Sequence, residues 1–338
     1  MPWSVAWEQA AFGPVGFYSH GAGARLGPAR FFRTSVHVGA VFHRAIAQLL
    51  LEVDARLGSP AQLDLVDVGT GRGELLVGVL DALPHDVASR VRAVAVDVHQ
   101  PTPDLDGRIA WITGRAPDAV PRGLRGLVIA HEWLDDIAMD IVEVDDHGIE
   151  RLVLVEHDGT EHLGPALGDD AGWAGWGLSA ERAREWLGRW GGGPHDVEAG
   201  ARRELGMTRD DAWGDVASRI DAGTALAIDY GYRGPPRGTL TGYHLRGHEV
   251  RPVPDGTVNL TAHVAVNAVA AAAGVPLSRI SLQRDSLAAL KVSATLPPRA
   301  LATSDPAAYA DALETASAAA ELVALPGLGG FHWIRLDR

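Results

Sequence analysis

Three glycines at alternate positions, Gly69, Gly71 and Gly73, follow the apolar run LDLVDV, with Asp67 two residues ahead of the first. Glycine lets the chain turn sharply and lets a ligand approach the backbone. A strand that ends this way, followed by a helix, brings amide groups and a helix N-terminus to a ligand at the carboxyl edge of a sheet. A dinucleotide pyrophosphate loop needs Gly-x-Gly-x-x-Gly. Here position 74 is Glu, which argues against nicotinamide chemistry. Asp97 closes a second apolar run, VRAVAVDV. A carboxylate there can accept both hydroxyls of a ribose. A third set, His131, Glu132, Asp135 and Asp136, ends the run GLVIAHEWLDD. Paired carboxylates at such an edge hold a cation, or orient a nucleophile and accept its proton. The blander alternatives are a tight turn with a solvated aspartate, and acids favoured at a helix N-terminus by its dipole. HEWLD lacks the second imidazole of a zinc HExxH site, and His244 and His248 alone make no ligand set, so no metal is assigned.

The elements that position these residues follow from periodicity. SVHVGAVFHRAIAQLLLEVDARLG repeats apolar residues at helical spacing, with Ser35 as its N-cap and Gly58 as its stop. Leu75, Leu76, Val79, Leu80 and Leu83 give the next helix one apolar face. LDLVDV, VRAVAVDV, GLVIAHE and TALAIDY are short strands buried on both faces. Alternating with helices, they indicate a parallel sheet with right-handed crossovers. Between about 141 and 222 the rhythm changes. VEVDDHGIERLVLVEHDG is a hairpin, AGWAGWG a loop, LSAERAREWLGRW a helix, and Thr208 with Asp211 a capping box. Trp173 and Trp176 either form a lid over substrate or anchor that loop. DPAAYADALETASAAAELVAL is a further helix and FHWIRL a last strand. No linker or repeat divides the chain. It reads as one domain over 1–338: an N-terminal helical segment at 1–60, a cofactor-binding half at 61–140, an insertion or cap at 141–222, and the rest of the sheet at 223–338.

Composition narrows the class. The chain has 338 residues, 46% of them hydrophobic, and no cysteine. Disulfides, thiolate metal sites and a cysteine nucleophile are therefore excluded, and a cytoplasmic setting is expected. The N-terminus has no signal-peptide pattern, and no apolar run approaches the ~18 residues of a membrane span. A net charge of −13 argues against nucleic acid and anionic lipid as partners.

With Asp67 two residues before Gly69, LVDVGTGRGELL at 65–76 resembles motif I of the class I S-adenosylmethionine methyltransferases, where the glycine loop passes the methionine part of the cofactor. Several segments together resemble the MidA-type S-adenosylmethionine-dependent methyltransferases. That family includes the mitochondrial complex I assembly methyltransferase, which modifies an arginine. RFFRTSVHVGAVFH at 30–43 is similar to the family's GDFYTAPEVSPLFG, and motif I to its LVELGPGRGTLM. HEWLDDIA at 131–138 is similar to its NEFLDALP, and Ile228 to Gly231 to its IDYG. GTLTGYHLRGHEV…NLTAHV, from Gly238 through Val264, is similar to its GTLRAYRRH…DLTAHV, a pattern most methyltransferases lack. The departures are Arg30, Phe31, Phe32 and Arg33 for Gly-Asp-Phe-Tyr, Val36 and His37 for Pro-Glu, His131 for Asn, Ala138 for Pro, and Asn259 for Asp.

The resemblance implies an α/β, Rossmann-like class I methyltransferase. Its mostly parallel seven-stranded sheet carries helices on both faces, with an N-terminal helical segment and an inserted α+β region. It implies S-adenosylmethionine on Asp67, Gly69, Thr70, Gly71, Gly73 and Asp97. Glu132, Asp135 and His131 would be catalytic, and Thr34, Tyr230, Thr261 and His263 would line the acceptor pocket. Thr261 and His263 could instead cap a helix starting near 262, and Tyr230 and Tyr243 are wall residues. The expected activity is methyl transfer to a protein side chain, arginine by resemblance. The rivals are a small-molecule O- or N-methyltransferase on the same scaffold, and a non-catalytic assembly factor that binds the cofactor.

Overall fold

The computed structural model describes residues 1–19, 23, 33–191, 198–235, 237–244 and 247–338. Arg30, Phe31 and Phe32 lie outside the described residues. The chain forms two compact units. One comprises Met1–Phe32, Trp133–Asp215 and Gly231–Leu277; the other comprises Arg33–Glu132, Val216–Tyr230 and Ser278–Arg338.

The second unit is built on a seven-stranded sheet. Its order is Ile280–Leu282, His332–Asp337, Ile220–Asp229, Leu124–His131, Leu63–Val68, Val91–Asp97, Ile109–Thr113. The last five strands pair in parallel. His332–Asp337 runs antiparallel to both its neighbours. Leu63–Val68 is buried at every position, as a strand covered on both faces must be. Alternate residues along the strands (Leu63 and Leu65, Leu127 and Ile129, Leu226 and Ile228) share one core with Phe42, Ile46 and Leu50 of the helix Ala40–Arg56 and with Leu76 and Val79 of the helix Glu74–Ala82. Those two helices meet at Gly78, where a β-carbon would lie 2.1 Å from His43 Nδ1, so only glycine allows the contact.

The Ala40–Arg56 helix begins later than the sequence suggests. Ser35 is not its N-cap. It is buried in a 3-10 turn, Ser35–His37, and its hydroxyl accepts from Gln283 Nε2 at 3.0 Å. With that hydroxyl engaged, the helix starts after Gly39, at φ 136°. Gly58, at φ 74°, follows its end as expected.

The first unit carries the predicted hairpin as Asp140–Val144 and Glu150–Val155, extended on either side by Arg202–Leu205 and Glu161–Ala166 into a four-stranded antiparallel sheet. The helix Trp3–Phe12 packs Trp3 and Trp7 into a core with Ile141, Val153 and Leu260. A second core joins Trp173, Trp186, Leu187 and Val142. Part of the expected Gly/Trp loop is a short helix, Asp170–Ala174, capped by Asp169. Trp173 is fully buried there and donates to the Ala166 carbonyl at 3.0 Å, so it is an anchor, while Trp176 is exposed. The expected Thr208 cap is also corrected. The helix Met207–Ser218 already contains Thr208, whose hydroxyl donates to the Ala138 carbonyl at 2.7 Å. Among the described residues no helix is long and apolar enough to cross a membrane.

Candidate active site

Parallel register fixes what stands at the carboxyl edge of the large sheet. Val68 pairs with Val96 and with Ala130, and His131 pairs with Ile228. Gly69, Asp97, His131, Glu132 and Tyr230 therefore leave the sheet along one edge, the position at which open α/β sheets bind ligands.

The chain bends at that edge through Gly69, Gly71 and Gly73, at φ 71°, 65° and 83°. A side chain at any of the three would be strained in this left-handed region. Gly73 directly precedes the helix Glu74–Ala82. The bend is tied down at two points. Thr70 Oγ1 donates to Asp67 Oδ2 at 2.6 Å, and the Gly71 amide donates to Asp97 Oδ2 at 2.9 Å. The other oxygen of Asp97 accepts from the His99 amide at 3.0 Å and lies 2.7 Å from His99 Nδ1. Thr34, just before the 3-10 turn, places its hydroxyl 2.8 Å from His37 Nδ1, and His37 Nε2 lies 3.6 Å from Glu74 Oε1.

Asp67 is buried. Burial raises its pKa, the nearby Asp97 and Glu74 charges add to this, and the Thr70 hydroxyl opposes them, leaving the group at about 7. Its folded value lies above the ordinary 3.8, so its contribution to stability is full below about pH 4 and is lost as pH rises through about 7. Asp67→Asn keeps an acceptor for Thr70 without the charge. The variant is expected to gain stability relative to wild type as pH climbs from about 4 to above 7, measured by chemical denaturation along that range. A pH-independent difference would contradict the assignment.

At the end of the fourth strand, burial and the nearby His37 push His131 down to about 3, so the imidazole is neutral. Its ring lies 5.2 Å from the Phe42 ring, and Nε2 is 3.3 Å from Glu132 Oε1. Glu132 itself has φ 49°. A non-glycine residue in the left-handed region costs of order 1–3 kcal/mol, and such strain clusters at working sites. The Glu132 amide donates to the Ile228 carbonyl at 2.8 Å, which fixes the turn. Tyr230 packs its ring 5.5 Å from Phe331.

The remaining candidates lie in the other unit. Asp135 is buried, and its Oδ2 accepts from Thr261 Oγ1 at 2.7 Å. Thr261 belongs to the strand Asn259–Thr261 and caps no helix, since the next helix starts at Val266. The His263 amide donates to Thr239 Oγ1 at 2.9 Å, and that hydroxyl donates to Glu204 Oε2 at 2.7 Å. Two side chains here have no signature in the sequence. Glu204 is buried and also accepts from the amides of Thr239 and Leu240. Arg209, almost fully buried, donates to the carbonyls of Asp135 (2.7 Å), Ile137 (3.0 Å), Ala262 (2.9 Å) and His263 (3.0 Å). One guanidinium thus holds the 135–137 loop against the LTAH segment. Among the described residues no group of three acids or histidines could hold a metal ion.

The sheet order, with its single antiparallel strand second from one edge, and the glycine bend define a class I methyltransferase-like fold. The family model described as "Putative S-adenosyl-L-methionine-dependent methyltransferase" matches residues 45–279, and the chain belongs to that family of S-adenosylmethionine-dependent enzymes. The fold is similar to that of a Burkholderia thailandensis protein crystallised with S-adenosyl-homocysteine, at a TM-score of 0.73 and 24% identity, covering 100% of this chain and 88% of that one. A second crystal structure, of an uncharacterized protein from the same organism, gives a TM-score of 0.71 and 23% identity, covering 100% and 87%. No curated protein matches the sequence significantly.

The residues at the sheet edge fit the family's cofactor. A backbone bend with no side chains on its turning residues admits a ligand close to the amides. Asp97 meets the Gly71 amide with Oδ2 and His99 with Oδ1, which leaves Oδ2 a lone pair for a ribose hydroxyl.

Proposed function

We propose that the chain transfers a methyl group from S-adenosylmethionine to a protein side chain, an arginine nitrogen as in the MidA-type enzymes it resembles, in the cytoplasm. The observation that carries this is Glu132: an acid held in a strained backbone conformation at the sheet edge that also bears the glycine bend and Asp97. The bend and Asp97 would hold the cofactor, with Asp67 and Thr70 keeping the bend in shape. Bound there, S-adenosylmethionine supplies a methyl already activated on a sulfonium. What remains for the protein is to orient the acceptor, exclude water and take one proton. Glu132 suits a guanidinium, because a carboxylate accepts the planar fork bidentately and receives the proton released. His131, neutral beside it, adds no competing charge. In the other unit Thr261 holds the Asp135 carboxyl, and Thr34 keeps to its own unit, with its hydroxyl beside His37.

Two measurements test this. Incubation with labelled methyl donor and cell lysate is expected to label protein; label confined to the low-mass fraction would replace protein with a small-molecule acceptor, and no label at all would favour an assembly factor. Asp97→Asn removes a charge-assisted acceptor, worth about 1.5–3 kcal/mol. Calorimetry is expected to show S-adenosyl-homocysteine binding weakened by roughly 10–100-fold; unchanged affinity would remove Asp97 from the site.

A further inference from the structure

Methyl transfer as described makes no use of Asp136, yet both its carboxyl oxygens are engaged. Tyr18 Oη lies 2.6 Å from Asp136 Oδ2 and 2.9 Å from Asn259 Oδ1, and Asn259 Nδ2 lies 3.4 Å from Asp136 Oδ1. A phenol carries one proton, and both of these neighbours are oxygens. With Asp136 ionised, that proton can bridge only one of the two O···O contacts. A proton on Asp136 Oδ2 removes the conflict. The carboxylic O–H donates to Tyr18, Tyr18 donates to Asn259 Oδ1, and Asn259 Nδ2 donates back to Asp136 Oδ1. All three contacts then become hydrogen bonds in a closed ring.

The ring has a neighbour on the same strand. Asn259 and Thr261 are two apart on the strand Asn259–Thr261 and so share one face. Thr261 holds Asp135 as Asn259 holds Asp136. Two carboxyls side by side resist double ionisation. We infer that Asp136 is kept as a neutral carboxylic acid and that, with Tyr18 and Asn259, it is a positioning group for the loop that carries Asp135. Burial and Asp135 raise Asp136 well above the ordinary carboxylate range, against weaker pulls from Tyr18, Asn259 and Arg209 of the helix Met207–Ser218.

An amide presents the donor and acceptor of a carboxylic acid in the same places, which makes Asp136→Asn the discriminating variant. In the 338-residue chain at neutral pH, the infrared difference between wild type and Asp136→Asn is expected to contain the C=O band of one protonated carboxyl. The variant is expected to melt with wild type at neutral pH. It should melt higher at alkaline pH, because a raised folded pKa means the wild-type contribution is lost as pH rises through it. Tyr18→Phe, which breaks the ring, is expected to melt lower at neutral pH. Methyl transfer by Asp136→Asn is expected to match wild type at neutral pH and to decline less at alkaline pH. Only this activity arm rests on the methyltransferase reading, so failure of the chemistry leaves the infrared and melting results to decide. Absence of the carboxyl band, or a variant that melts well below wild type at neutral pH, overturns the inference.

Discussion

Replacing Glu132 with glutamine is expected to lower methyl transfer by about 10²–10⁴-fold, the usual contribution of a positioned proton acceptor, while cofactor affinity stays nearly unchanged. Glutamine keeps the size and one acceptor oxygen but loses the charge and the ability to take a proton. The backbone at φ 49° is fixed by the amide bond to Ile228, which the substitution does not touch. The variant should therefore fold like wild type. Calorimetry with S-adenosyl-homocysteine separates the two effects: intact binding with lost turnover identifies Glu132 as acting on the acceptor. Full turnover would withdraw the assignment while leaving the family membership untouched. Asp135→Asn is informative beside it, because that carboxylate is held by Thr261 in the other unit and its loss is a separate event.

The second large effect concerns stability. Arg209→Met is expected to destabilise the protein by about 3–5 kcal/mol, since truncating a buried charged group strands its partners. Four carbonyls, those of Asp135, Ile137, Ala262 and His263, would lose the guanidinium at once, and Asp135 would keep the longer bond from the Ala262 amide at 3.4 Å. Methionine fills much of the volume but offers no N–H, and the ring of Trp7, 5.6 Å from the guanidinium carbon, loses its cation. The melting temperature should fall by about 5–15 °C. Arg209→Lys is expected to fall between the two, because one ammonium cannot span four carbonyls as a planar fork does. A melting curve for Arg209→Met that overlays wild type would show that the carbonyls find other donors.

How much of this was legible in the sequence divides by range along the chain. LDLVDVGTGRG announces itself because a fully buried strand and a left-handed bend each depend on adjacent residues, and all three glycines adopt positive φ. Asp97 was placed by the end of a run whose partner strand obeys the same parallel rule. The cap at Ser35 failed for the opposite reason. Its hydroxyl is claimed by Gln283, 248 positions away, and local pattern carries no trace of that. Arg209 sits 74 positions from Asp135, and Tyr18 sits 241 from Asn259. Both are invisible in the sequence because a single arginine or tyrosine carries no mark of a partner that only folding brings to it. In the sequence Asp136 is one more acid in a cluster; its hydrogen-bond geometry sets it apart from Asp135.

The methyltransferase reading requires the bend at 69–73 and Asp97 to grip a sulfonium nucleoside. Isothermal titration of the 338-residue chain with S-adenosyl-homocysteine and, separately, with NAD decides this. One S-adenosyl-homocysteine is expected to bind per chain, with no NAD, and binding is expected to be lost when Gly71→Val is combined with Asp97→Asn. NAD bound in place of S-adenosyl-homocysteine, or S-adenosyl-homocysteine bound equally well by the double variant, would contradict it.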